Sequence, residues 1–240
     1  IEVRFFTPTT EVPICGHATI AAHYVRAKER NMEGGTVVQK TKAGILPVEV
    51  VRTLSDYSIT MTQGTPAVSA PFGDAVRERI ADALGIAHEE LCREYPVAVA
   101  STGHSKVMVP LYSNELLHGL RPDLQKLTKI SKQIECNGYY VFTLNPQNKI
   151  LVHGRMFAPA IGIAEDPVTG NANGPLGAYL VHFNILQEED APCFDFDILQ
   201  GEAIKRDGTM HVHVEKEHGA PKLVQITGNA VIAFSTEITI

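Results

Sequence analysis

Two stretches of this chain carry the same unusual arrangement of residues, and that repetition restricts the possible folds more than any other feature of the sequence. The first runs Arg4-Phe5-Phe6-Thr7-Pro8 and continues with Glu11-Val12-Pro13-Ile14-Cys15-Gly16-His17-Ala18. The second runs Arg155-Met156-Phe157-Ala158-Pro159 and continues with Glu165-Asp166-Pro167-Val168-Thr169-Gly170-Asn171-Ala172. Each reads Arg-x-Phe-x-Pro, a short loop, then Glu-x-Pro-x-x-Gly-x-Ala, the second loop being three residues longer. Self-similarity of this kind decides architecture before any local propensity does. It implies two lobes of similar build with their motif loops facing each other.

Both copies run into apolar stretches, residues 18–25 and 177–183, whose apolar residues face most directions. A helix of that kind is buried rather than laid on a surface, so each is expected to be wrapped by its own sheet. Strands are expected at 36–40, 45–51, 57–62, 96–100, 106–111, 139–144, 196–199, 210–215, 222–227 and 230–234. Several alternate at period two, as His211-Val212-His213-Val214-Glu215 does. Residues 74–85 and 123–135 show the three-and-four spacing of amphipathic surface helices. Pro8, Pro13, Pro159 and Pro167 end or bend strands, because proline has no ladder donor. Gly16 and Gly170 stand where a loop becomes a helix. Each loop therefore presents first-turn amides at a helix start, a ready site for an anionic group such as a carboxylate.

A net charge of −6 gives no basic stripe with which to replace phosphate counterions, so nucleic acid is excluded as a partner and small molecules are expected. No apolar run approaches the roughly 20 residues of a membrane span, and no basic and apolar leader opens the chain. A cytoplasmic protein is expected, with a homodimer as the default assembly. Cysteines 15, 92, 136 and 193 show no Cys-x-x-Cys pair, which supports neither a structural metal nor a disulfide framework. Thr169 to Pro175 lacks both the lysine of a P-loop and the third glycine of a dinucleotide fingerprint. Nucleotide binding is rejected.

Pro13-x-Cys15-Gly16-His17-Ala18-Thr19, together with Arg155-Met156-Phe157-x-Pro159 and Glu165 to Ala172, resembles the PhzF-like (phenazine biosynthesis PhzC/PhzF) family of the diaminopimelate-epimerase-like superfamily. The likeness runs from Arg4 almost to the C-terminus and includes Thr102-Gly103-His104-Ser105-Lys106. It implies an α+β fold of two similar lobes, each a barrel-like, mostly antiparallel sheet around a central helix, with the active site in the cleft between them. The first lobe is expected at residues 1–100, receiving closing strands from the C-terminus, and the second at 101–240. The family chemistry moves a proton on a small carboxylic acid with an acidic residue, without metal or organic cofactor. On matching positions the resemblance implies that Asp166 holds or polarises the substrate and His17 hydrogen-bonds it. Gly16, Ala18, Thr169, Gly170, Asn171 and Ala172 line the substrate site at the two helix starts. The family's main general acid/base is a glutamate in a segment preceding the first strand. The sequence opens at Ile1 in what reads as the middle of a strand, so a preceding segment is expected.

The individual residues keep alternatives open. Cys15 and Thr169 are equivalent in the repeat; related epimerases and racemases hold thiols at both places, and one thiol here disfavours a two-thiol reaction. Cys15 is either a base or nucleophile activated by the helix start or a small residue filling space under a loop. His17 either contacts substrate or caps its helix, whereas His23, deeper in that helix, reads as a core histidine. Asp166 serves either as acid/base or as turn and helix-entry chemistry. Glu165 recurs as Glu11, which points to a structural role in both lobes. The segment Thr102–Lys106 reads as an exposed turn. Three functions remain: an isomerase using the preceding glutamate with Asp166 and His17, a racemase-like reaction based on Cys15, and an inert relative that binds a small carboxylate.

Overall fold

The computed structural model describes residues 1–6, 11–186 and 191–237. Thr7 and Pro8 of the first motif, and the expected strand end there, lie outside the described residues. The chain divides into two compact units, Ile1–Thr62 with Thr227–Ile240, and Gln63–Ile226.

Unit 1 opens with a short antiparallel pair, β1 (Phe5–Phe6) and β2 (Glu11–Val12), followed by α1 (Gly16–Glu29). A meander of β3 (Gly35–Thr41), β4 (Gly44–Arg52) and β5 (Tyr57–Thr62) then forms, paired antiparallel throughout. Period-two alternation aims Val48, Val50, Tyr57, Ile59 and Met61 at Ile20, Tyr24 and Ala27 of α1. Thr60 meets Thr227 through their hydroxyls at 2.6 Å. Five of the 14 residues of α1 are buried, along one side, while Ala21 and Ala22 are exposed.

Unit 2 contains β6 (Ala67–Val68), α2 (Asp74–Leu84), β7 (Ala98–Ser101), β8 (Ser105–Pro110), α3 (Asn114–Gly119), α4 (Leu124–Ile134), β9 (Tyr139–Leu144), β10 (Ile150–Ala158) and β11 (Ile163–Asp166). It continues with α5 (Gly170–His182), β12 (Cys193–Gln200), β13 (Gly208–Glu217) and most of β14 (Ala220–Gly228). The strand order is β14-β13-β12-β10-β9-β8-β7-β6, with β11 paired to β10. The pairs β6–β7, β7–β8, β9–β10, β10–β11 and β12–β13 are antiparallel, while β8 with β9 and β10 with β12 are parallel. α5 touches β6, β7 and β8 near one end of that order and β12 and β13 near the other, so the sheet curls around it. Eleven of its 13 residues are buried. Close approach is bought with glycine: a Cβ on Gly177 would come within 2.8 Å of both Val212 and Val214. The opposite face of β7 to β10 packs against α2, α3 and α4 through Val107, Val109, Tyr139, Val141 and Phe157.

The fold is therefore mixed α+β with a large, mostly antiparallel sheet, as the sequence implies. Full burial holds for α5 and not for α1. The compact units meet in the chain at Thr62/Gln63, with β6, α2 and β7 making their contacts with β8, α4 and α5. The strand expected at 230–234 does not form. Val231 and Phe234 are 86% and 80% exposed, and an apolar run without a neighbouring strand has no ladder to join. Among the described residues no helix is long and apolar enough to cross a membrane.

Candidate active site

In unit 2 the motif is anchored by an ion pair. Arg155 on β10 donates from Nε and Nη2 to the two carboxylate oxygens of Glu165 at 2.9 and 2.8 Å. Its Nη1 donates to the carbonyls of Leu117 and Leu120 at 3.0 and 3.3 Å. The two side chains are only 7% and 14% exposed. So enclosed a two-pronged pair fixes β11 on β10, with Met156 opposite Asp166. Glu165 is thereby committed to the scaffold, as its recurrence in the repeat suggests. The neighbouring Asp166 carboxylate keeps partial access to solvent.

Asp166 accepts a 2.6 Å hydrogen bond on Oδ2 from the hydroxyl of Thr169, the residue that precedes α5. Behind them sits Gln200, 1% exposed, at the end of β12. Its Nε2 donates to the Asp166 carbonyl at 2.7 Å and to Thr169 Oγ1 at 3.1 Å. Its Oε1 accepts from the Thr169 amide at 3.2 Å and from Asn173 Nδ2 at 3.1 Å. Sequence reading did not single out Gln200, although the signal was there: it occupies the inward phase of Phe196-x-Ile198-x-Gln200, where an apolar residue is the rule. The following Gly201 has φ +93°, and a Cβ there would stand 2.7 Å from the Pro167 carbonyl and 2.4 Å from that of Arg206. Only glycine closes that turn.

At the start of α5 the amides of Ala172 and Asn173 bond to the Thr169 carbonyl. Those of Gly170 and Asn171 belong to the first turn, which offers them no intrahelical acceptor and carries the positive end of the dipole. Gly170, Thr169 and Ala172 are buried, and Asn171 is partly exposed.

Unit 1 repeats the same construction with different side chains. Arg4 donates from Nε and Nη2 to Glu11 at 3.0 and 3.1 Å, and Phe5 stands opposite Val12 as Met156 stands opposite Asp166. Here Arg4 is 60% exposed, and Lys42 reaches Glu11 at 2.8 Å. Hydrogen bonds from Arg4 and then Lys42 hold the Glu11 carboxyl down at about 2. Cys15 precedes α1 in extended backbone, and its carbonyl accepts from both the amide and the hydroxyl of Thr19 at 2.9 Å. The Cys15 sulfur lies 3.5 Å from Nε2 of His17. Gly16 and Ala18 flank that pair in the first turn, partly exposed. His23 is 1% exposed and contacts Gln39 at 3.1 Å; burial lowers its pKa, as befits a core residue.

The Thr102–Lys106 segment forms the β7–β8 turn, with Gly103 at φ +109° and Ser101 opposite Ser105. Gly103 and His104 are exposed as expected, but Thr102 turns inward to Gln63 at 3.1 Å, and Lys106 is 6% exposed with Nζ on the Ser105 carbonyl. Burial lowers the Lys106 pKa against the opposing pull of Cys136 and Asp166. A lysine enclosed in unit 2 was not foreseen from the sequence.

An α+β chain with a duplicated strand–loop–helix motif, its carboxylates and amides gathered at helix starts, defines a class of enzyme scaffold; the comparisons narrow it. Residues 1–236 match the family model described as phenazine biosynthesis-like protein, and the chain belongs to that family. An uncharacterized isomerase of Clostridium acetobutylicum is 52% identical over 239 residues, covering 99% of this chain and 79% of that protein. The trans-2,3-dihydro-3-hydroxyanthranilate isomerase of Pseudomonas fluorescens is 29% identical, covering 95% and 76%. The crystal structure of a Bacillus anthracis phenazine biosynthesis protein of the PhzF family superposes with a TM-score of 0.87 at 30% identity, over 100% of this chain and 80% of that one.

Proposed function

We propose that this protein is a cofactor-independent isomerase that shifts a proton between carbons of a small carboxylic acid, with Asp166 as an acid/base group. What carries the reading is the Asp166 carboxylate itself. Thr169 holds one of its oxygens, a buried glutamine fixes the Asp166 carbonyl and the Thr169 hydroxyl, and α5 begins at Gly170 with first-turn amides that suit a substrate carboxylate. One carbon gives up a proton to a base and another receives one, so the reaction needs no oxidant and no net proton. The reading includes the family's preceding glutamate as the second acid/base group and His17 as a hydrogen-bonding partner of the substrate. Isomerase names among the relatives support the reaction class.

The test follows candidate small carboxylic acids by proton NMR in deuterium oxide with the product of the native gene. Solvent deuterium should enter the substrate carbon skeleton, and Asp166→Asn should remove that exchange while leaving the far-ultraviolet circular dichroism intact. An Asp166→Asn variant with full turnover overturns the assignment.

One observation favours a second reading, a racemase-like reaction with Cys15 as base: its sulfur lies 3.5 Å from a ring nitrogen of His17 at a helix start. It predicts inactivation by an alkylating reagent and protection by substrate. Full activity in Cys15→Ala removes it.

A further inference from the structure

The outer face of the β12–β13 pair gathers side chains that the proposed reaction does not use. Register places Cys193 opposite Glu215, Asp195 opposite His213 and Asp197 opposite His211. Inward residues of the same strands, Phe196, Ile198, Val212 and Val214, belong to the core around α5, so period-two alternation turns the six polar residues outward together. His213 Nδ1 lies 2.7 Å from Asp195 Oδ1. The His211 ring bridges two carboxylates, with Nε2 at 3.1 Å from Asp195 and Nδ1 at 2.9 Å from Asp197. A ligand atom each from Cys193, Asp195 and His213 lie within 4.8 Å of one another.

We propose that Cys193, Asp195 and His213 form a binding site for a borderline-soft divalent transition metal such as zinc, separate from the helix starts of the proposed active site. The donor set argues for that class of ion: thiolate and imidazole select zinc or cobalt, whereas calcium and magnesium take oxygen alone. Donor atoms around a tetrahedral zinc stand about 3.3 to 3.8 Å apart, given bonds of about 2.0 to 2.3 Å. Side-chain rotation on a fixed two-stranded ladder is enough to reach that. Three protein ligands leave the fourth position to water, and His211, hydrogen-bonded to Asp195, orients the ligating carboxylate.

Coordination takes up Cys193 as its thiolate and releases the thiol proton to solvent. The metal would clasp β12 to β13 at the end of β12 opposite Gln200. It would therefore stiffen the strand that supplies the glutamine behind Asp166.

Cobalt(II) titration of the full-length protein tests the site. A thiolate-to-cobalt absorption band in the near ultraviolet should grow to saturation at one equivalent and be displaced by zinc. Cys193→Ser should abolish the band, and His213→Ala should weaken cobalt binding by about tenfold or more. Cys15→Ser should leave the band unchanged, which separates this site from the Cys15–His17 pair. Zinc should also raise the thermal midpoint of the wild type and not of Cys193→Ser. A titration without the thiolate band, a band that survives Cys193→Ser, or one that vanishes in Cys15→Ser overturns the proposal.

Discussion

Arg4–Glu11 in unit 1 and Arg155–Glu165 in unit 2 are the same two-pronged ion pair on the same strand register, and their glutamates are enclosed alike at 13% and 14% exposure, yet the Arg4 side chain stands largely in water and that of Arg155 is closed off. The helices that follow differ in the same sense, α1 buried along one side and α5 almost wholly buried. Where the two copies agree in sequence, at Arg, Glu, Pro, Gly and Ala, the residues build the strand pair and the helix entry. At three further positions, Val12 against Asp166, Cys15 against Thr169 and His17 against Asn171, the two copies set different side chains at the same place in the motif. The duplicated scaffold thus keeps the residues that fold the loop while the side chains at its helix entry vary.

Asp166→Asn puts the sharpest pressure on that division, because unit 1 has only a valine at the equivalent place. Loss of a general acid/base is worth about 10²- to 10⁴-fold in rate, and turnover should fall by that much with the thermal midpoint little changed. Equal loss of activity and stability would mean that Asp166 is scaffold as well. Next in size is Glu165→Ala, which strands a buried guanidinium and should cost about 3 to 5 kcal/mol in urea unfolding. Glu11→Ala, in the exposed copy, should cost a small fraction of that. Comparable losses in the two variants would show that burial is not what distinguishes the copies. Gln200→Ala should cost about 1 to 3 kcal/mol, since it leaves the buried Thr169 amide without its acceptor and Asn173 Nδ2 with only the weak Met210 sulfur. It should also lower turnover while leaving Cys15 alkylation unchanged.

Much of this was legible in the residues. The repeat announced equivalent helix starts, and period-two or three-and-four patterns located most strands and helices within a few residues. The recurrence of Glu165 as Glu11 pointed to a structural role in both copies, though not to the arginine that each one pairs with. What the pattern could not carry was depth. Apolar residues around α1 read like those around α5, but burial depends on how many strands surround a helix, and that is a long-range property. Gln200 and Lys106 are polar residues buried in strands; the partners of Gln200 lie far along the chain, and Lys106 donates only to the adjacent Ser105 carbonyl while its stem is enclosed. The Cys193, Asp195 and His213 cluster escaped notice because its members sit on two strands 18 to 20 positions apart rather than in a close Cys-x-x-Cys run. His211-x-His213 showed only that a strand was there.

The smallest effect is the most discriminating for the exposed copy. Arg4 and Lys42 draw the Glu11 carboxyl from its ordinary value of 4.5 down to about 2, so the folded state favours the charged form. A depressed acid contributes its stabilisation fully above the unfolded pKa and loses it as pH falls toward the folded one. The difference in urea midpoint between wild type and Glu11→Gln should therefore be constant from about pH 7 to pH 6 and begin to shrink near pH 4.5. More than half of it should be gone by about pH 3. Because the cations Arg4 and Lys42 stand largely in water, added salt should shrink the same difference at neutral pH. A difference that persists at pH 3, or that grows with salt, would assign the stabilisation to packing of the Glu11 stem, and the two copies would then differ in kind rather than in exposure.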